Sequence, residues 1–303
     1  MNYPTDLLAS YPYREVMRAG GFWKAGRPAL TGIDPARIAP YVLLMVNDPL
    51  LDDGCSAQRG AEQFLSAPEL TGKSGLCTAY TGSYRGTEVT LLSCGSGGPE
   101  AEIALVELME HTGAHTFLRV GGAGGISTRR RPGFLAIASG VVRDEGLTRE
   151  YITPSFPAVS SYEVVTALVR AAERCGVDYA VGIGRSTDSE HLAVGRPSVH
   201  NYFQPRHAEI LDYYHRAGVL YTDRESAAIV GLCSLLGYRG GAVCAVTNNL
   251  LTGEVSGEEE AQERVLEVAL EGISLLAQMD GTKRGRSREY WFPELEQTEG
   301  RHP

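Results

Sequence analysis

Apolar runs bounded by glycine, proline or asparagine recur along the chain, and they set its predicted architecture. Short apolar runs between turn residues are typical of buried strands. Runs of this kind cover residues 41–46, 87–94, 116–120, 134–139, 179–184 and 241–247. Apolar residues repeat at helical spacing over 100–112, 160–173, 224–236 and 257–278. Because strands and helices alternate without an intervening linker, the pattern predicts one α/β domain.

The two ends of the chain depart from this pattern. Residues 1–37 are aromatic and weakly periodic, and we interpret them as an N-terminal extension that packs on another surface. The domain itself is expected to span residues 38–280. Residues 281–303 are predominantly polar and are expected to form a C-terminal tail.

Local signals mark the starts of three predicted helices. Ser160 with Glu163, and Ser256 with Glu259, have the spacing of a capping box, in which each side chain bonds the other residue's backbone N–H. Pro99 has the fixed backbone angle that suits a first helical turn. We therefore expect helices to begin at these places.

The charge balance narrows the range of partners. The 303 residues carry a net charge of −9, with 43% apolar and 21% charged residues. A negative chain repels phosphate groups, which argues against a nucleic acid or an anionic membrane as partner. The short basic run Arg129-Arg130-Arg131 is interpreted as a solvated loop.

Cysteine spacing and hydropathy give the expected compartment. None of the six cysteines forms a CxxC pair, so we predict neither a metal site nor a cofactor. Several lie in apolar runs, as expected of reduced thiols in a cytoplasmic protein. No run of 18 apolar residues and no apolar signal core occur, so neither a membrane span nor secretion is expected.

The segment HTFLRVGGAGGIS, residues 115–127, draws attention as a candidate site. It places Arg119 inside an apolar strand and follows it with four glycines in five positions, 121–125. Strand ends in α/β proteins are where ligands bind, and glycines let a ligand approach the backbone closely. The segment therefore predicts a ligand site at the end of this strand.

Four segments in order resemble the nucleoside phosphorylase superfamily, and its uridine phosphorylase branch most closely. They are SCGSGGPEAEIALVEL (93–108), TFLRVGGAGGI (116–126), FPAVSSYEVVTALVRAA (156–172) and GVLYTDRESAAI (218–229). The resemblance, over roughly residues 40–280, implies a mixed central sheet curled into a distorted barrel flanked by helices. It also implies a homodimer or a hexamer, with sites that borrow residues from a neighbour, and cleavage of an N-glycosidic bond.

The resemblance gives Glu225 and Arg119 their expected roles. A glutamate at the position of Glu225 holds the 2′ and 3′ hydroxyls of ribose, and its charge suits the cationic sugar of the transition state. An acidic residue stabilising the start of a helix is the alternative for Glu225. Arg119 matches a phosphate-binding arginine, or it forms a structural salt bridge to Glu225 or Asp223. Gly97 and Gly121 are also expected around the substrate.

The phosphate site departs from the family pattern. A loop arginine is replaced by Leu51, a neighbouring subunit's arginine by Gly75, and a threonine by Gly122. Arg85 or Lys73 could compensate. With Arg119 alone remaining, the sequence favours hydrolysis over phosphorolysis, and phosphate becomes an optional partner.

The base pocket departs as well. Glu190 and His191 stand where an aromatic residue stacks on the base, and either could act in acid–base catalysis or lie in a solvated loop. Arg196 matches an arginine that contacts the uracil carbonyl, whereas Val194 replaces a glutamine that reads the base edge and Arg224 an apolar residue under the sugar. Asn248 and Asn249 lie where an arginine polarises the leaving base, and they can form hydrogen bonds to the substrate.

The sequence therefore predicts an enzyme that cleaves a pyrimidine or modified nucleoside, with hydrolysis favoured. A phosphorylase with a rebuilt phosphate site and a non-catalytic nucleoside-binding protein remain as alternatives.

Overall fold

A computed structural model describes residues 6–17, 21–47, 56–256 and 258–297. The strands are β1 (Trp23–Lys24), β2 (Arg27–Pro28), β3 (Tyr41–Val46), β4 (Ser66–Lys73), β5 (Thr78–Tyr84), β6 (Thr87–Cys94), β7 (Thr116–Gly125), β8 (Phe134–Asp144), β9 (Ala158–Val159), β10 (Tyr179–Thr187), β11 (Tyr221–Asp223) and β12 (Arg239–Asn249). The helices are α1 (Asp6–Ser10), α2 (Ser56–Phe64), α3 (Gly98–His111), α4 (Leu147–Tyr151), α5 (Tyr162–Cys175), α6 (Pro205–Arg216), α7 (Ser226–Leu236), α8 (Glu258–Gly285) and α9 (Glu294–Gln297). Short 3₁₀ helices cover Pro35–Arg37, Leu192–Val194 and Val199–Asn201.

The central sheet closes on itself into a barrel. Its strands follow the order β11-β10-β8-β12-β7, and β11 also pairs with β7, so five strands form a closed ring. Within the ring, β8 with β10 and β7 with β12 run parallel, whereas β8 with β12 run antiparallel. β3, β6, β5 and β4 continue the sheet outward from β7. The mixed, barrel-like α/β fold expected from the sequence is confirmed.

The apolar pattern located the strands well and their ends less well. β3 and β6 have the predicted bounds, while β7, β8, β10 and β12 all extend beyond them. The glycines that were expected to end β7 are themselves paired with β12 as far as Gly125. Glycine satisfies its backbone bonds in a sheet like any other residue, so a glycine run does not by itself end a strand.

Side chains alternate between two helical layers along the inner strands. Leu43 of β3 and Leu118 of β7 pack in the core cluster that includes α5 and α8. Leu44 and Phe117 pack in the cluster that includes α3 and α7. Successive residues of a strand point to opposite faces, so Arg119 shares the face of Phe117 and Gly121.

Parts of the predicted N-terminal extension and C-terminal tail pack against the domain. Ile33 and Ile38 are buried, and Glu107 of α3 accepts hydrogen bonds from the Thr31 N–H and hydroxyl. At the other end, α8 continues past residue 280 to Gly285. Trp291 and Leu295 then pack in the main core cluster. The sequence boundaries at 37 and 280 do not coincide with breaks in the packing.

The first predicted capping box is wrong. α5 begins at Tyr162, one residue later than a Ser160 cap would allow, and it has no side-chain cap bond. The Glu163 carboxylate instead accepts hydrogen bonds from Lys283 Nζ at 2.7 Å and from the Trp291 N–H at 3.1 Å. A buried carboxylate next to a lysine gains more from that ion pair than from capping. At the second predicted box, the Ser256 hydroxyl donates to the Thr247 carbonyl, and the Glu259 side chain lies outside the described residues.

Candidate active site

A cavity of about 630 Å³ opens where β7, β11 and β12 end, a volume within the usual range for small-molecule sites. β7 contributes Arg119 and its glycines, and the turn from β11 into α7 contributes Asp223, Arg224 and Glu225. The other walls come from α2, the start of α8 and the segment 187–196. The topology thus brings stretches that are distant in sequence to one cavity.

Arg119 is buried and forms ion pairs with two carboxylates. Its Nη2 lies 2.9 Å from Glu225 Oε2, and its Nε lies 3.8 Å from Asp223 Oδ2. Nη1 donates to the Val120 carbonyl, while Nε has no hydrogen-bond partner. The salt-bridge alternative for Arg119 is therefore what the structure shows, with both candidate carboxylates, and the same side chain lines the cavity.

Glu225 is held by three donors, one on β7 and two in the loop that precedes α3. Besides Arg119, the Gly97 N–H donates to Oε1 at 2.6 Å and the Ser96 hydroxyl donates to the same oxygen at 3.2 Å. Glu225 precedes α7, but its side chain makes no cap bond to that helix. The carboxylate is thus turned toward the cavity and the start of α3, and not toward its own helix.

Asp223 lies behind this pair and is firmly anchored. The Ser186 and Ser226 hydroxyls both donate to its carboxylate. Burial, reinforced by the negative charge of Glu225, raises the pKa of Asp223 to about 6, although Arg119 and the two serines oppose the shift. The protonation state of Asp223 therefore changes close to neutral pH.

The two glycines after Arg119 serve different purposes. A Cβ atom at Gly121 would overlap the Arg119 guanidinium, so the arginine fits only because residue 121 has no side chain. A Cβ atom at Gly122 would meet no atom within 4 Å. Gly122 therefore leaves open space where the family resemblance expects a threonine.

The residues predicted around the base are only partly brought together. Glu190, Val194, Arg196, Arg224 and Asn248 line the cavity. His191 is exposed and absent from the cavity lining, as its solvated-loop alternative implies, and its role in acid–base catalysis stays a prediction. It precedes a 3₁₀ helix, and its backbone N–H donates to the Ser189 hydroxyl. Asn249 also lies outside the lining, because its amide donates to the Ser127 carbonyl and accepts from two backbone N–H groups.

Arg224 extends along the cavity between Gly97 and Glu190. Its Nε lies 4.0 Å from Glu190 Oε1 and makes no hydrogen bond, although this nitrogen is buried. Its Nη2 comes near Gly97 at the start of α3. The Nε–H of Arg224 is therefore available to donate a hydrogen bond to a ligand beside Glu225.

The positions at which the phosphate site is expected to depart from the family pattern lie only partly within the described residues. Gly75 is exposed in the turn between β4 and β5 and does not line the cavity, and Leu51 lies outside the described residues. Arg85 pairs with Glu271, away from the cavity, and Lys73 does not line it. Of the residues that sequence reasoning missed, Arg59 of α2 and Ser96 line the cavity. α2 is short and polar, so the apolar pattern gave no signal for it.

Residues 6–17, 21–47, 56–256 and 258–297 contain no cluster of three or more side chains suited to hold a metal ion. In the same residues no helix is both long and apolar enough to cross a bilayer.

Comparisons with known proteins agree with this arrangement. A model of the phosphorylase superfamily matches residues 54–279. The uridine phosphorylase of Thermococcus kodakarensis is 39% identical over 216 residues, which is 71% of this chain and 76% of the relative. The uridine phosphorylase of Treponema pallidum is 35% identical over 259 residues, 83% of this chain and 95% of the relative. A guanosine phosphorylase of Halorubrum lacusprofundi is 33% identical over 181 residues, 60% of this chain and 69% of the relative.

Proposed function

The chain belongs to the phosphorylase superfamily, and we propose from this that it is an enzyme that cleaves the N-glycosidic bond of a nucleoside in the cavity around Glu225. The observation that carries the proposal is the fixed, buried Glu225 carboxylate, which lines the cavity and is held by Gly97, Ser96 and Arg119. Such a preorganised charge stabilises a cationic transition state without further rearrangement.

The ribose is expected to bind Glu225 through its vicinal hydroxyls. A carboxylate offers about four acceptor positions, and Glu225 uses three of them for Gly97, Ser96 and Arg119. One hydroxyl can take the open position, and the second can replace the long bond from Ser96. As the bond to the base breaks, the sugar becomes an oxocarbenium-like cation, and the nearby negative charge lowers the barrier.

The base is expected to lie against Arg196, Arg224 and Asn248. These side chains offer hydrogen-bond donors that suit the carbonyl oxygens of a pyrimidine or an oxopurine, and a donor to such a carbonyl stabilises the departing base. Uridine and guanosine, named for two of the relatives, are the first substrates to test.

We expect water, and not phosphate, to accept the sugar, because few side chains around the cavity can bind phosphate. Arg119 is already balanced by Glu225 and Asp223. Leu51 and Gly75 stand where the family resemblance expects two further arginines, and Gly122 where it expects a threonine. Each missing charged donor weakens anion binding by about 1.5–3 kcal/mol. Phosphate is the second candidate, because the relatives are named phosphorylases and Arg59 and Arg119 both line the cavity.

The chemical form of the released sugar distinguishes hydrolysis from phosphorolysis. Each nucleoside is incubated with the enzyme at several phosphate concentrations, and ribose and ribose 1-phosphate are measured separately. Free ribose at a rate indifferent to phosphate supports hydrolysis, whereas ribose 1-phosphate at a rate that rises with phosphate overturns it. No cleavage of either nucleoside would contradict the enzymatic proposal and favour a nucleoside-binding protein.

Two variants at one position sharpen the test. Gly122→Thr supplies the missing hydroxyl, and we expect it to raise the phosphate-dependent share of product. Gly122→Ala adds only a methyl group to the same open space and should leave that share unchanged.

A further inference from the structure

Arg185 is a fully buried arginine close to the cavity but not in contact with it. It lies on β10, its exposed fraction is 0%, and it is absent from the cavity lining. Its Nε and Nη2 donate to Asp144 Oδ2 at 2.9 and 2.6 Å, and its Nη1 donates to the Ala193 carbonyl at 2.8 Å. The guanidinium also stacks 4.4 Å from the centre of the Tyr214 ring on α6. One side chain thus joins the sheet, α6 and the segment around Ala193.

The segment held at Ala193 forms one wall of the cavity. The backbone N–H groups of Val194 and Arg196 both donate to the His191 carbonyl, and Arg196 Nη1 donates to the Glu190 carbonyl. These bonds make the segment 190–196 a unit in which Glu190, Val194 and Arg196 line the cavity. A shift at Ala193 therefore moves all three lining residues together.

We propose that Arg185 is a positioning residue for base selection: it fixes the wall formed by Glu190, Val194 and Arg196 without touching the substrate. The inference rests on the proposed function, because it takes the base of a nucleoside to lie against that wall. Burying an arginine is costly for stability, and apolar replacements of buried ion pairs are often tolerated. The planar, forked guanidinium can bond a carboxylate, bond a carbonyl and stack on a ring at once, which a lysine cannot do.

The neighbouring strand offers a matched control. Arg143 of β8 is also buried, and it too holds a segment through backbone carbonyls, those of Thr148, Ile152, Thr153 and Phe156. No residue of the segment 148–156 lines the cavity. Arg143→Lys therefore perturbs a similar buried anchor and leaves the base wall in place.

The test combines amide hydrogen exchange with the kinetics of two substrates. In Arg185→Lys we expect the Val194 and Arg196 amides to exchange at least about tenfold faster. We expect the ratio of kcat/KM between uridine and guanosine to move toward one by about tenfold or more. The change should come mainly from KM of the preferred nucleoside, with kcat kept within about threefold. Arg143→Lys should speed amide exchange in residues 148–156. It should leave the ratio of kcat/KM between uridine and guanosine within about twofold of the wild-type ratio.

Several results would overturn the inference. These are an unchanged substrate ratio in Arg185→Lys, an equal change of ratio in Arg143→Lys, or unchanged exchange at Val194 and Arg196. If Arg185→Lys does not fold, Tyr214→Leu removes the ring that stacks on Arg185, together with its hydroxyl near Asp144, and leaves the Arg185 bonds to Asp144 and Ala193 possible. This variant should change the kcat/KM ratio in the same direction by a smaller factor; no change there would also overturn the inference. A wild-type protein that cleaves neither nucleoside contradicts the proposed function, whereas hydrogen exchange still decides whether Arg185 holds the wall.

Discussion

Replacing Glu225 by glutamine is the most direct perturbation of the proposed chemistry. Both carboxylate oxygens accept from donors: Oε1 from Gly97 and Ser96, and Oε2 from Arg119. A glutamine places its amide NH₂ against one of these donors in either orientation, so one bond is lost and the negative charge disappears. Arg119 keeps Asp223 as a counter-ion at 3.8 Å, so we expect the variant to fold.

The expected loss of rate follows from the charge. A unit charge about 5 Å from a cationic sugar interacts with it by about 3 kcal/mol at an effective dielectric constant of about 20. Since about 1.4 kcal/mol corresponds to a tenfold change in rate, loss of this interaction lowers kcat by about a hundredfold or more. The charge-assisted bond to Arg119 contributes in the ground state as well, so its loss appears mainly as reduced stability.

The assay is single-turnover release of free base, with thermal unfolding measured on the same preparation. Glu263→Gln is the matched control: this carboxylate also lines the cavity, but it is exposed, its charge is largely screened by water, and it has no proposed role. We expect the control to stay within about threefold of the wild type. A Glu225→Gln rate within about tenfold of the wild type, with nucleoside bound, would refute the role assigned to Glu225.

Three further predictions follow from particular contacts. Gly121→Ala should remove most activity and Gly122→Ala little, because a Cβ overlaps the buried Arg119 guanidinium only at position 121; turnover of the two variants, measured side by side, checks this. The value of kcat/KM should rise as pH rises through about 6, because ionisation of Asp223, whose pKa is about 6, adds negative charge near the sugar. Asp223→Asn should lack this rise, and a rise that persists in the variant would assign the titration to another group. The protein should be at least a dimer, because the family resemblance implies it and apolar side chains at the N-terminus such as Leu7 are largely exposed; light scattering that gives the monomer mass of 32.7 kDa at micromolar concentration would contradict it.

The apolar runs were sufficient to find four of the five strands of the barrel, β7, β8, β10 and β12. All six runs lie within β3, β6, β7, β8, β10 and β12, because burial on both faces requires continuous apolar sequence. Polar elements escaped the same reasoning. α2 and α6 have few apolar positions, and β11 is only three residues long, although it closes the ring.

Some residues of the candidate site were likewise found from the sequence, and others were not. Sequence motifs pointed to Arg119, Glu225 and the glycines at the end of β7, and all of these line one cavity except Gly125. They left open whether Arg119 pairs with a ligand or with a carboxylate, and whether His191 lies in the site or in a solvated loop. The structure pairs Arg119 with two carboxylates and leaves His191 exposed, outside the cavity lining. Arg185 gave no signal at all, because a single arginine in a strand does not reveal its partners.

What the sequence determined by itself is local: the spacing of apolar residues, which a strand or helix converts directly into a buried face. The tertiary structure alone decided which side chains meet, such as the Gly97 N–H with Glu225, which lie 128 residues apart. That contact exists because β11 pairs with β7 and brings the start of α7 beside the start of α3. Such pairings depend on how the whole barrel closes, and no short stretch of the chain contains that information.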